Sequence, residues 1–344
     1  MAISVLIWTR ESNTQNSIYL QAKLMEEALS RGGFDVEIAH PIKGHFYINL
    51  CKLWRAQKLI WHFGSFDLML LMVLFRRNTI VIYHNITPAC YFIMSEPLVA
   101  ARSILGRLQL RLLPLRWKFA GVSEYNRQEL LRFRKSPVSL IPCIVEPGLE
   151  KKVEKSIYPS LLYVGRIVEN KNCIDLLAEV ESAAAKFGQP IHIVIIGSGN
   201  RNRQYYNKFT KMVAKMQKQG RVLLEWIEVG VDEMTLDELY SRSWLYVSMS
   251  LHEGFGLPIC EAIVRGTPAV YLECGGTESV LEGVGAIPIK NAKSFHLSLV
   301  ALLQSFDDRM SLLLKQQAVL NPILSTNGAE DMVKKLVQLF EEDE

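Results

Sequence analysis

Several things are missing from this sequence, and each absence excludes a class of protein. The longest uninterrupted apolar run, residues 68–75, falls far short of the roughly 20 residues that span a bilayer as a helix. The six cysteines, at positions 51, 90, 143, 173, 260 and 274, form no Cys-x-x-Cys pair. They read as buried thiols in a reducing compartment, not as a disulfide framework. The seven histidines do not gather at metal-ligand spacing, and no Asp-x-Asp occurs, so no metal ion is expected. The start, Met1-Ala2-Ile3-Ser4-Val5, lacks the basic residues and cleavage site of a secretory signal and reads as a first strand, which makes the cytoplasm the expected compartment. Acidic residues are scarce early: the first 145 residues hold 18 Lys and Arg against 9 Asp and Glu, and the remainder holds 21 against 26. A basic first half implies an anionic partner on that side.

What is present suits a two-domain α/β protein. The chain has 344 residues, 49% of them hydrophobic, enough for two cores. Short apolar runs alternate with helical patterns, the mark of parallel sheets covered on both faces. Strands are predicted at 3–8, 35–40, 68–74, 79–83, 119–122 and 138–141, with helices over 17–31, 50–62 and 124–134. A charged segment near 142–155 separates these from strands at 161–164, 191–196, 222–227, 244–248 and 269–272. Helices are predicted there over 174–187, 236–241, 295–306 and 329–340. The expected domains are 1–145 and 146–325, with a last helix in 326–344.

One stretch organises the second half: Glu253-Gly254-Phe255-Gly256-Leu257-Pro258-Ile259-Cys260-Glu261. It follows a strand and opens a helix. Gly254 and Gly256 let the backbone approach a ligand, and Pro258 suits a first helical turn. A helix N-terminus behind such a turn offers unpaired N–H groups and a positive dipole end to a phosphate. Glu253 and Glu261 bracket the turn as acceptors for hydroxyls. A phosphate flanked by hydroxyl-bearing groups outlines a nucleotide sugar. A structural turn with Glu261 on a solvated helix face is the plainer alternative.

Together with Arg265-Gly266-Thr267-Pro268, the stretch resembles the signature of family 4 glycosyltransferases, retaining enzymes of the GT-B fold. The resemblance implies two Rossmann-like domains with parallel sheets facing across a central cleft, and a last helix that returns to the N-terminal, acceptor-binding domain. It implies that Arg166 and Lys171, in Gly165-Arg166-Ile167-Val168-Glu169-Asn170-Lys171, grip the donor diphosphate in place of a metal. Arginine and lysine can offset the charge that builds on a departing diphosphate. Glu253 would contact hydroxyls of the transferred sugar and Glu261 the ribose, with Gly254, Phe255, Gly256 and Leu257 at the phosphates. Gly197, in Gly197-Ser198-Gly199, would border the base. His84 follows a strand and could cap a turn or face the sugar; the resemblance favours the sugar. Ser123 and Arg127 also match the family pattern, although an N-cap and a surface residue explain them locally. Thr9 to Asn16 stands where the family usually carries paired glycines.

The implied activity is retaining transfer of a hexose-type sugar from a UDP- or GDP-sugar to a glycan or lipid-linked acceptor. Cell-surface polysaccharide or glycolipid assembly is the implied setting, with no nucleic acid as partner. A non-catalytic nucleotide-sugar or glycan-binding protein, and a sugar-nucleotide epimerase or hydrolase, are the competing readings. Residues 98–113 hold a second feature. Leu98, Ile104, Leu105, Leu108 and Leu112 share a face at helical spacing, which predicts a helix packed on the sheet by its leucines. Arg107 and Arg111 lie one turn apart, and Arg102, Arg116 and Lys118 extend the basic set. These five would be a solvated edge or a patch resting peripherally on the anionic cytoplasmic face of a membrane; the family's lipid-linked acceptors favour the membrane.

Overall fold

The computed structural model describes residues 3–10, 16–41, 46–148, 153–324 and 328–341, leaving out the side chains of residues 46, 47 and 324. The chain divides into two compact units, one of residues 1–144 with 323–344 and the other of residues 145–322.

The first unit runs β1 (Ser4–Thr9), α1 (Ser17–Arg31), β2 (Asp35–Ala39), α2 (Phe46–Arg55), β3 (Lys58–Phe63), α3 (Leu68–Met72), β4 (Thr79–Tyr83), α4 (Pro97–Leu112), β5 (Lys118–Gly121), α5 (Glu124–Phe133) and β6 (Val138–Leu140). The strands form one parallel sheet in the order β2-β1-β3-β4-β5-β6. Chain order reverses between β1 and β3, which places a switch point at their C-terminal ends.

Two predictions fail in this unit. Residues 50–62 are not one helix: α2 stops at Arg55, and β3 follows as a central strand buried at every position. A strand covered on both faces reads as a continuous apolar run, which periodicity cannot separate from a buried helix. Residues 68–74 are not a strand, because Asp67 Oδ1 accepts from Met69 N at 3.0 Å and caps α3.

Helix α4 has the predicted extent but the opposite orientation. Its buried residues are Ala100, Ser103, Gly106, Gln109 and Leu110. A Cβ on Gly106 would lie 2.9 Å from Phe66 N, so only glycine permits this approach. Gln109 clamps the contact, accepting from Asp67 N at 3.0 Å and donating to Asp67 O at 2.6 Å. The expected core residues Leu98, Ile104, Leu105, Leu108 and Leu112 are 45–78% exposed instead.

The second unit runs β7 (Ser160–Val164), α6 (Cys173–Phe187), β8 (Ile191–Ile196), α7 (Gln204–Gln219), β9 (Val222–Ile227), α8 (Glu233–Arg242), β10 (Leu245–Ser248), α9 (Leu257–Val264), β11 (Ala269–Leu272), α10 (Gly276–Leu281), β12 (Ala286–Ile287), α11 (Phe295–Gln304) and α12 (Phe306–Leu324). Its parallel order is β12-β11-β10-β7-β8-β9, so the switch point lies between β7 and β10. The core joins Leu161, Tyr163, Ile193, Ile195, Leu245 and Val247 of the central strands to Leu176, Val180, Phe209 and Leu299 of the covering helices. The last helix, α13 (Gly328–Glu341), groups with the first unit, where Lys58 Nζ donates to Phe340 O at 3.3 Å and sits 5.3 Å from that ring. Both units are thus α/β with one parallel six-stranded sheet each.

Candidate functional site

The loops that leave β7 and β10 meet at the second unit's switch point. After Val164 the chain passes through Gly165 and Arg166 into a 3-10 turn over Glu169–Lys171, then through Asn172 in the left-handed region (φ 53°) into α6. After Ser248 it runs through His252 and Glu253 into the glycine turn. Leu251 N donates to Asn170 O at 2.8 Å, which fastens the two loops. They present an ion pair, Lys171 Nζ to Glu253 Oε1 at 2.5 Å, between half-buried side chains. The partners lie 82 positions apart in sequence.

The glycine turn is held by backbone approach. Gly256 caps α9 at φ 91°, a conformation that favours glycine, and a Cβ there would meet Thr277 Cγ2 at 2.7 Å. Gly276 N donates to Glu253 O at 2.8 Å, and a Cβ on Gly276 would lie 1.9 Å from Gly254 O. Pro258 falls in the first turn of α9, which leaves the amides of Gly256 and Leu257 at the helix mouth. Phe255 contributes backbone only, since its ring is buried.

Arg166 is exposed, and among the described residues its guanidinium has no partner. Gly197 lies across the loop from it: Gly165 N donates to Ile196 O, Ile167 N donates to Ser198 O, and a Cβ on Gly197 would stand 1.8 Å from Gly165 O. Trp226 Nε1 donates to Gly197 O at 2.9 Å.

Glu261 has a brace that the sequence did not disclose. Tyr240 Oη donates to Glu261 Oε2 at 2.7 Å. Arg265 stacks on the Tyr240 ring at 5.4 Å, bonds Glu261 O at 3.3 Å and pairs with Asp237. Burial pushes the Glu261 carboxyl up, while the Tyr240 hydroxyl and the Arg265 charge hold it down. Burial, and then the neighbouring Glu261, push the Tyr240 phenol well up, so it keeps its proton and donates. Only the spacing of Arg265 four residues after Glu261 hinted at this cluster.

The structure places His84 in the first unit, apart from this group in the chain's division. Its Nε2 lies 2.7 Å from His62 Nδ1, with the rings stacked at 4.9 Å, beside a cavity of about 10 Å³ also lined by Gln21, Met25, Cys143 and Met332. That is room for about one water. Burial lowers His84 to about 3, and burial with the His84 neighbour lowers His62 well below its usual value, so both are neutral at pH 7. Ser123 and Arg127 take their local roles: Ser123 Oγ accepts from Asn126 N, and Arg127 pairs with Glu124. Residues 11–15 of the loop after β1 lie outside the described residues. Arg10 beside them donates to Phe66 O at 2.6 Å, and Asn16 caps α1.

Of the basic residues expected to face lipid, Arg107 turns inward. It pairs with Glu129 at 2.5 Å and donates to Ile86 O. Glu129 is buried beneath Tyr83 and Asn85, where a carboxylate needs a nearby cation. Arg116 is exposed but donates to Leu74 O and Arg76 O, and Arg111 stacks on Phe133 at 4.8 Å.

In chemical terms the second unit offers a helix mouth and an unengaged guanidinium for anions, two carboxylates for hydroxyls, and a lysine paired with one of them. Among the described residues no cluster of three or more His, Cys, Asp or Glu could hold a metal ion. Residues 158–305 match the family model described as glycosyl transferases group 1. A putative glycosyltransferase from Sulfolobus islandicus filamentous virus is 31% identical over 97 residues, 27% of this chain and 31% of its own. A sucrose synthase from Acidithiobacillus caldus is 27% identical over 151 residues, 40% of this chain and 19% of its own. The chain thus spans less than a third of the length of these curated relatives. A sucrose-phosphate synthase from Thermosynechococcus elongatus superimposes with a TM-score of 0.72 over 98% of both chains at 16% identity, a likeness of fold. Residues 158–305 accordingly match the group 1 glycosyl transferases, on a chain that has the GT-B fold.

Proposed function

We propose that the protein is a retaining glycosyltransferase that moves a hexose-type sugar from a UDP- or GDP-sugar to a glycan or lipid-linked acceptor. The observation that carries this reading is the convergence at one switch point of the Lys171–Glu253 pair, exposed Arg166 and the mouth of α9. Arg166, Lys171 and the amides of Gly256 and Leu257 would take the charge that develops on the departing diphosphate, without a metal. Glu253 would orient hydroxyls of the transferred sugar, and Glu261, aimed by Tyr240, those of the ribose. Gly197 would border the base, and His84, held neutral, would serve the sugar as a hydrogen-bonding group.

In this reading the acceptor oxygen bonds the anomeric carbon as the bond to the diphosphate oxygen breaks on the same face. The acceptor proton passes to a departing phosphate oxygen, so no protein base is required. Cell-surface polysaccharide or glycolipid assembly, at the cytoplasmic face of a membrane, is the setting that fits a lipid-linked acceptor. Release of UDP and GDP from a panel of their sugars, with and without candidate acceptors and with chelator, tests the proposal. Release that requires acceptor and survives chelation supports it. Release to water alone would move the reading to a hydrolase.

A further inference from the structure

The stacked pair of His62 and His84 carries a buried nitrogen that the donor site does not explain. His62 lies in the central strand β3 and is 2% exposed, and its Nε2 has no hydrogen-bond partner among the described residues. Such an orphan is rare in a protein interior. His62 and His84 both line the cavity of about 10 Å³, together with Gln21 and Cys143.

The backbone that carries His84 is pinned. His84 N donates to Phe63 O at 2.9 Å, which ties the start of the loop after β4 to the end of β3. Asn85 follows in the left-handed region (φ 77°), and its Nδ2 donates to Asn126 Oδ1 at 2.8 Å and to Glu129 Oε2 at 3.2 Å. Ile86 N donates to Tyr83 Oη at 3.0 Å, and Arg107 holds Ile86 O. With three consecutive residues fastened, the open variable at the pair is where the protons sit.

Both imidazoles are neutral at pH 7, so two protons are shared among four ring nitrogens. The 2.7 Å approach of His62 Nδ1 to His84 Nε2 takes one of them. If His84 supplied it, His62 would carry its own proton on Nε2, a buried N–H without an acceptor, and a stranded donor is the rarer and costlier case. If His62 supplies it, the second proton falls on Nδ1 of His84, which is half-buried and stands at the more open end of the pair. The bare Nε2 of His62 then lacks only a donor. The cavity has room for about one water, with Gln21 and Cys143 as polar groups in its wall. Burial pushes the Cys143 thiol up, so it keeps its S–H.

We infer that His62 is a positioning residue for His84: its Nδ1–H donates to His84 Nε2, one buried water donates to His62 Nε2, and His84 is thereby held in the tautomer that presents Nδ1–H. The proton of one imidazole nitrogen is set by the bond that the other makes. The inference rests on the reading that His84 serves the transferred sugar, and it gives that contact a direction. In this tautomer His84 offers a sugar oxygen an N–H and has no free lone pair. It can hold an oxygen of the sugar, but it cannot take the proton of the acceptor hydroxyl. That proton is left to the departing phosphate.

Long-range proton–nitrogen correlation spectra of the full chain, with heavy nitrogen in its histidines, test the assignment, the two rings being identified through His62→Asn and His84→Gln. Both rings should carry their proton on Nδ1 and show a bare Nε2. A proton on Nε2 of His84 overturns the inference, whether or not any variant folds. His62→Leu removes the donor, and His84 should then move its proton onto Nε2. His62→Asn sets an amide N–H near the lost Nδ1–H and should restore the original pattern. At saturating donor, transfer by His62→Leu should fall roughly tenfold, the worth of one hydrogen bond, and His62→Asn should recover most of it. An unchanged His84 tautomer in His62→Leu, or equal losses of rate in both variants, would reduce His62 to a packing residue and overturn the inference. The spectra need neither donor nor acceptor. Absence of transfer from every nucleotide sugar would therefore refute the proposed function, while the tautomer still decides the role of His62.

Discussion

The two units share a sheet plan and differ at the place where such sheets bind ligands. Each has six parallel strands and one reversal of chain order, between β1 and β3 in the first and between β7 and β10 in the second. At the second switch point, charged groups converge and stay accessible: Lys171 on Glu253, Arg166 unengaged, and the glycine turn opening α9. At the first, the described groups bond mainly to one another. Arg10 is tied to Phe66 O, and His62 and His84 pair in a neutral stack that leaves His62 Nε2 without a hydrogen-bond partner. The same topology therefore yields an edge of converging charges in one unit and, among the described residues, an edge of paired neutral imidazoles in the other. What separates them is the side chains that the edge loops supply, as expected where function is grafted onto a shared fold.

Substitutions should deepen or erase this contrast. The larger effect is expected in the second unit. Tyr240→Phe removes the side-chain hydroxyl that, among the described residues, aims Glu261, and hydrogen bonds to charged groups are worth about 1.5–3 kcal/mol. Donor KM should rise roughly tenfold or more and the melting temperature should fall by several degrees, and steady-state kinetics across donor concentration with a parallel melt would show it. A Tyr240→Phe enzyme with normal donor KM would mean that Glu261 is oriented without help.

A smaller effect is expected in the first unit, where it is a matter of stability. An unfolded histidine takes a proton near pH 6.5, whereas folded His84 resists protonation down to about 3. The unfolded chain therefore binds more protons in this window, and the stability tied to His84 is complete above about pH 6.5 and drains away as pH falls toward 3. The slope should be a little over 1 kcal/mol per pH unit. His84→Gln should flatten the fall of melting temperature between pH 7 and pH 5, as read by circular dichroism. An unchanged slope would place the proton-sensitive group elsewhere.

The legibility of the molecule follows the range of the interactions. The glycine turn from Glu253 to Glu261 could be read because its chemistry is local: two glycines, a proline and two carboxylates within nine positions. Most strands of the second unit could be read because β-branched runs end in turn residues. The ion pair between Lys171 and Glu253 could not be derived from local pattern, since only the adjacency of β7 and β10 brings the two loops together. The Tyr240 brace depends on how α8 packs against α9, which no short pattern encodes. β3 was misread because burial on both faces erases alternation. α4 was inverted for a different reason: its packing face is built from Ala100, Ser103, Gly106 and Gln109, small and polar residues that look like a solvent face until the close approach of Phe66 is known.

The central claim is that the second unit's switch point holds the donor diphosphate with Arg166 and Lys171 and reads its sugar with Glu253. Single-turnover transfer by Lys171→Met and Glu253→Gln, with donor binding measured alongside by calorimetry, tests it most directly. Removing one preorganised charge-stabilising donor costs roughly 10²–10³ in rate. The account predicts a loss of that order in both variants, weaker donor binding in Lys171→Met, and melting curves close to the unsubstituted protein. Full transfer rates in both variants would contradict it.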